Sequence, residues 1–180
     1  MSRDIKDLST QTRIRALEVQ RITEQAGYPI LIYCTFRSAD EQACLYRQSR
    51  TRGEINVKIE SLRSRNMTNL ADAIERVGPQ EGVVGNHVTM AGPGESWHQY
   101  RCAFDAVPII SGKLAWSIGA EDDDDYPRVQ AAWDTYGLAC EYAGLQWAGH
   151  WTRFKEMPHA QSEQAGNPLK VLPLEQINSI

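Results

Sequence analysis

The chain has 180 residues, 42% of them hydrophobic and 23% charged, which excludes fibrous and disordered classes and fits one soluble globular domain. A formal net charge of -4 and a pI near 5.6 argue against general nucleic-acid binding, which needs a basic face to displace counterions. The four cysteines, Cys34, Cys44, Cys102 and Cys140, form no CxxC pair and read as reduced, mostly buried thiols.

The N-terminal stretch carries charges throughout and lacks an apolar run of signal-peptide length, and no segment approaches the roughly 20 apolar residues of a membrane span. The expectation is synthesis in the cytoplasm, no encoded Sec export and no stable membrane insertion. Between Thr10 and Ala26, Ile14, Leu17, Ile22 and Ala26 recur at near-helical spacing and Gly27 follows, so an amphipathic first helix is expected with those residues on its apolar face. Ile30–Cys34 reads as a buried strand that leaves Arg37 near its end. Ser38-Ala39-Asp40-Glu41 matches a capping box and opens a helix to about Gln48. The arginine-rich stretch Arg47 to Arg65 also holds Glu54 and Glu60 and reads as a solvated, mixed-charge face.

From Gly53 to Gly94 the pattern is irregular, with one helix at Asn69 to Val77 and then glycine punctuation, so 54–86 is expected to be an insertion or flap on a single domain built around one core. Cys102 to Ile110 reads as a strand, Ser111-Gly112 as a hairpin turn and Lys113 to Ile118 as the returning strand. The acidic run Glu121 to Asp125 lacks the spacing of a calcium loop and reads as solvated. Pro127 suits the first position of a helix whose face is Val129, Ala132, Trp133, Tyr136, Ala139, Cys140 and Ala143, ending at Gly144. The class is α+β, with helices packed on a small, mainly antiparallel sheet.

Four histidines occur, His87, His98, His150 and His159, and two have an acidic companion close by, as His98-x6-Asp105 and Glu156-x2-His159. A catalytic zinc site takes three nitrogen or oxygen ligands and leaves one position for water, so two histidines and a carboxylate suffice. An offset of seven points His98 and Asp105 to opposite faces of an uninterrupted strand, which predicts a bend near Tyr100-Arg101. The offset of three puts Glu156 and His159 on one side of a helical or turn-like segment. Each spacing alone is weakly specific.

The surrounding residues add specificity: Ser96-x-His98-x6-Asp105, then Gly144-Leu145-x-Trp147-x-Gly149-x-Trp151, then Pro158-His159, with Phe36-Arg37-Ser38, Gln42 and Leu45-Tyr46 upstream. In that order they resemble the zinc peptidase family of D-alanyl-D-alanine carboxypeptidases and dipeptidases and the L-alanyl-D-glutamate endopeptidases of phage endolysins. The signalling domain of Hedgehog proteins resembles the same fold. The resemblance spans roughly Ile30 to His159, with the Glu54 to Asn86 segment longer than usual. Arg101 and Cys102 stand where many members have glycine and another residue, and Ala160 stands where an aromatic is common.

The resemblance implies that His98, Asp105 and His159 bind Zn²⁺, that Glu156 is the general base and that Arg37 clamps the developing oxyanion. Ser96 would orient a ligand or merely form a turn, and Trp147 and Trp151 would line a substrate cleft or fill core. His87 and His150 read as surface or structural. The implied activity is cleavage of the peptidoglycan stem peptide, first as an L-alanyl-D-glutamate endopeptidase acting as a monomeric phage endolysin on the wall once the membrane is opened. The rivals are a D-Ala-D-Ala carboxypeptidase or dipeptidase and, from another class, a non-catalytic wall-binding module, against which the retained Glu156 argues.

Overall fold

The computed structural model describes residues 1–78, 87–117, 124–163 and 166–180. They form two compact units, one of Ser2–Phe36 and Arg101–Gln164, the other of Met1, Arg37–Tyr100 and Ala165–Ile180. Where one core was expected, there are two clusters of buried apolar residues, one within each unit.

The sheet-bearing unit contains α1 (Thr10–Gln25), β1 (Ile30–Cys34), β2 (Ala103–Ile110), β3 (Lys113–Leu114), α5 (Tyr126–Tyr142), β4 (Gln146–Trp147) and β5 (His159–Gln161). The sheet runs β1-β2-β5-β4, with β3 pairing onto β2, and every pairing is antiparallel. The expected α+β class is therefore what the chain forms. Helices α1 and α5 end alike. Gly27 and Gly144 take φ of 82° and 78°, and Tyr28 and Leu145 donate back to Thr23 and Cys140 carbonyls, the 6→1 bond that closes a helix around a left-handed residue.

The buried face of α1 is not the expected one. Thr12, Ala16, Val19 and Thr23 are buried, whereas Ile14 and Leu17 are 63% and 51% exposed. The residues buried there are small, and the two threonines satisfy their hydroxyls, Thr12 with Ser9 and Ser162 and Thr23 with the Val19 carbonyl. Burying a hydroxyl is inexpensive once it is hydrogen-bonded. In α5 the expected face holds, with Trp133, Tyr136 and Cys140 fully buried, although Pro127 occupies the second helical position rather than the first. Strand β3 stops at Leu114, short of the expected Ile118, which lies outside the described residues together with 121–123 of the acidic run.

The helical unit holds α2 (Ala39–Arg47), α3 (Arg52–Ser64), α4 (Thr68–Arg76), α6 (Pro168–Val171) and α7 (Leu174–Ile177). The Ser38–Glu41 capping box forms as expected, and α4 matches the expected helix to within a residue at each end. Helix α3, in contrast, occupies a stretch that looked irregular. A second capping box, Thr51 with Glu54, starts it, and Ile55, Ile59 and Leu62 give it a narrow buried stripe. Its charged residues hid that stripe, since a helix needs only about one apolar face to pack. Residues 79–86 of the expected insertion are outside the described set. The arginines flanking α3 do more than solvate a face: Arg47, Arg50 and Arg65 donate to the carbonyls of Ile74, Thr89 and Leu169.

Candidate active site

Asp105 sits on β2 with Cys34 of β1 directly across on one side and His159 of β5 across on the other. Directly paired residues present their side chains to the same face of a sheet, so the three form one row. A bulge between Ile32 and Cys34 sets this register; without the extra residue, alternation would turn Cys34 to the opposite face. Asp105 and His159 are 6% and 7% exposed, and Asp105 Oδ1 lies 3.1 Å from His159 Nδ1. The Cys34 Sγ is within 4.8 Å of an Asp105 carboxylate oxygen.

Strand β5 begins at His159, and the approach to it is pinned at each residue. The Glu156 N–H donates to Ala148 O, the Trp147 indole N–H to Met157 O, and both Tyr136 Oη and the Ala106 N–H to Pro158 O. The His159 N–H returns to Glu156 O, which makes the expected turn and leaves Glu156 half-buried just before β5. Burial pushes the Tyr136 phenol far above its usual range, so it remains a neutral donor to the Pro158 carbonyl.

Of the two readings of Trp147, cleft lining or core, its burial fits the core. Trp147 is 5% exposed within the core cluster, and its ring is wedged between Gly137 and Gly149, where added Cβ atoms would come within 2.3 and 2.2 Å. The Gly144-Leu145-x-Trp147-x-Gly149 pattern is thus a packing device: a helix stop, a core leucine, and an indole that needs glycine beside it. Trp151 is half-buried, with its ring centroid 5.6 Å from that of His159. His150 pairs with Glu141 on the surface, and His87 lies 3.9 Å from Glu54.

His98 belongs to the helical unit, in a short 3₁₀ turn, Trp97–Tyr100, and is 1% exposed. The turn is held from several sides. The Gln99 N–H donates to Ser96 O, the Gly94 N–H to Gln99 Oε1, Tyr100 Oη to Gly94 O and the Trp97 indole to Gly166 O. Gly94 takes φ of 82°, and a Cβ there would meet Leu70 at 2.5 Å and Leu169 at 2.7 Å. Ser96 is buried at the start of this turn. The expected bend is present in the backbone, because Arg101 adopts φ of 62° between the turn and β2.

Glu95 anchors the same loop. Burial raises its pKa, but the Lys58 ammonium at 2.7 Å and hydrogen bonds from the Gly92 N–H and Asn167 outweigh that effect and hold the carboxyl below its ordinary value. Arg37, in the helical unit, donates to Gln42 Oε1 at 2.9 Å, and Gln42 donates in turn to Ala91 O at 2.7 Å. Gln42 is fully buried, so the guanidinium is oriented by a fixed amide.

Chemically, the Asp105–His159 pair suits a divalent cation. Two ligands about 2.1 Å from a tetrahedral centre stand roughly 3.4 Å apart, close to the 3.1 Å between Asp105 Oδ1 and His159 Nδ1. Cys34 and Gln161 lie beside this pair and were not singled out by the motifs. Gln161 was findable, since a residue two beyond His159 on a strand shares its face. Cys34 depends on the bulge and on β1–β2 register, which no local signal carries.

Residues 90–162 match the family model described as D-alanyl-D-alanine carboxypeptidase. The chain is 26% identical over 156 residues to the peptidoglycan L-alanyl-D-glutamate endopeptidase CwlK of Bacillus subtilis (strain 168), covering 86% of this chain and 73% of the relative. Among solved structures it is similar to the L-Ala D-Glu endopeptidase ChiX of Serratia marcescens, with 18% identity, a TM-score of 0.43 and coverage of 87% of this chain and 81% of that one. Among the described residues no helix is long and apolar enough to cross a membrane. The matched stretch contains His98, Asp105, Glu156 and His159 in order, and over these residues the chain is similar to the family described as D-alanyl-D-alanine carboxypeptidase.

Proposed function

We propose that this chain is a zinc-dependent L-alanyl-D-glutamate endopeptidase of peptidoglycan, with His98, Asp105 and His159 as metal ligands, Glu156 as general base and Arg37 as electrophilic clamp. The observation that carries the metal assignment is the buried carboxylate and imidazole facing each other at 3.1 Å on neighbouring strands. The bond specificity is supported by the activity named for the CwlK relative. A bound zinc would supply Lewis acidity toward the scissile carbonyl and activation of water. Glu156 then takes the proton from the attacking water and delivers it to the leaving nitrogen as the C–N bond breaks, giving a carboxylate and an amine. Arg37, steadied by Gln42, stabilises the negative charge that develops on the carbonyl oxygen. Acting as a phage endolysin in host lysis belongs to the same proposal.

Mass spectrometry of fragments released from purified peptidoglycan by the zinc-supplemented protein, with Glu156→Ala as control, tests the reading. New D-glutamate amino termini absent from the control are the expected result. Release of D-alanine would transfer the assignment to a carboxypeptidase, a second reading favoured by the description of the matching family model. Clearing of permeabilised bacteria by the added protein tests the lytic role.

A further inference from the structure

We propose that Gln161 is a positioning residue for the metal centre: it fixes which imidazole nitrogen of His159 is protonated and so turns the Nδ1 lone pair toward Asp105. The inference rests on the proposed metal-binding role of His159 and extends it to a residue outside the ligand set. Gln161 is 2% exposed and lies two residues beyond His159 on β5, on the same face of the strand. Its amide nitrogen donates to Glu163 O at 2.7 Å and to Gln146 Oε1 at 2.9 Å. Glu163 O is a backbone carbonyl and can only accept, so the nitrogen end of the Gln161 amide must be the end facing it. The other end, Oε1, therefore faces His159 Nε2 at 3.2 Å.

An amide oxygen only accepts, so the nitrogen opposite it must carry the hydrogen if the contact is to be favourable. An imidazole that binds a metal is neutral and keeps one protonated nitrogen, which would leave the lone pair at Nδ1, on the side of Asp105 Oδ1. At that separation Oδ1 and Nδ1 hold a shared proton or a shared cation between them, and a metal would take the proton's place. Gln161 thus prepares the Asp105–His159 pair to receive a metal and disfavours the alternative of ligation through Nε2. The chain Glu163 O, Gln161, His159 is the arrangement by which a neighbour sets the tautomer and ring orientation of a metal-binding histidine.

The test uses the full chain loaded with ¹¹³Cd, with ¹⁵N-labelled histidine. The expected spectrum shows one-bond cadmium coupling to His159 Nδ1 and a protonated Nε2; coupling to Nε2 would overturn the proposal. In parallel, zinc affinity is measured by competition with a chromophoric chelator. Gln161→Leu removes the acceptor and should weaken zinc binding roughly 10–100-fold. Gln146→Leu removes a partner of Gln161 but leaves the Glu163 bond and the acceptor in place, and should bind zinc within about twofold of the unaltered chain by the same reasoning. Equal loss in both variants, or no loss in Gln161→Leu, would overturn the proposal. If Gln161→Leu fails to fold, the cadmium coupling of the unaltered protein decides. Absence of any zinc or cadmium binding by the unaltered protein would overturn the metal centre itself, a result distinct from coupling at the wrong nitrogen.

Discussion

Replacing Gly149 by alanine should destabilise the sheet-bearing unit through Trp147. The added Cβ would stand 2.2 Å from Cζ2, 2.3 Å from Cε2 and 2.6 Å from Cη2 of the indole. The closest of these is about 1.3 Å short of the ~3.5 Å at which carbon atoms pack without repulsion. The ring cannot yield toward α5, because Gly137 already meets its other edge so closely that a Cβ there would lie 2.3 Å from Cε3. Nor can it rotate freely, since its N–H is committed to Met157 O at 2.7 Å. Overpacking of a filled core costs about 1–3 kcal/mol, and with no free direction the upper end applies. At about 2–4 °C per kcal/mol for a chain of this size, the melting temperature should fall by roughly 6–12 °C. Differential scanning calorimetry would measure it, with Gly53→Ala as comparison. Gly53 lies in the first turn of α3 and a Cβ there has space, so that change should raise stability by about 0.4–1 kcal/mol. A fall below about 2 °C for Gly149→Ala would refute the wedged-indole argument, because even the lower end of the overpacking cost predicts more.

Three further outcomes follow from the same contacts. His159→Ala should lose bound zinc and activity together, whereas Arg37→Ala should keep its zinc and lose about 10²–10³ in turnover; metal analysis beside the peptidoglycan assay separates them, and equal zinc loss in both would contradict the division of roles. Glu95 has a folded-state pKa below its ordinary 4.5, so its contribution is fully present above that value and is lost as pH falls through the lower folded value. Glu95→Gln should therefore flatten the acid limb of a denaturant-melt pH series below 4.5, and an unchanged limb would show that Lys58 and Glu95 do not couple. Ser38→Ala removes the side-chain half of the α2 capping box and should cost about 1 kcal/mol by chemical denaturation.

Much of the architecture was legible wherever local chemistry decides. The Ser38 box, the Gly27 and Gly144 helix stops, strand β1 and the Ser111-Gly112 turn all appear where the residues place them. At that turn both residues take positive φ, 50° and 76°, which is what a tight two-residue hairpin requires. Helix α3 was missed because its three buried apolar residues are diluted among charges. The face of α1 was misjudged because apolar size was weighed above fit, and the fold buries Thr12, Ala16, Val19 and Thr23 instead. Trp147 was ambiguous for a related reason: a glycine on either side of an indole reads equally well as an open cleft or as a close contact until both glycines are seen against its ring.

By itself the sequence determined the α+β class and most of the helix and strand boundaries, because caps and turns act over a few residues, and motif spacing nominated the residues proposed for a metal centre. Tertiary structure alone decided that Asp105 and His159, 54 residues apart in the chain, face each other across paired strands. It also decided that a bulge brings Cys34 into their row and that Gln161 turns its oxygen toward the histidine. These depend on strand register and on which backbone carbonyl a side-chain amide reaches, and both are set by packing between segments distant in sequence.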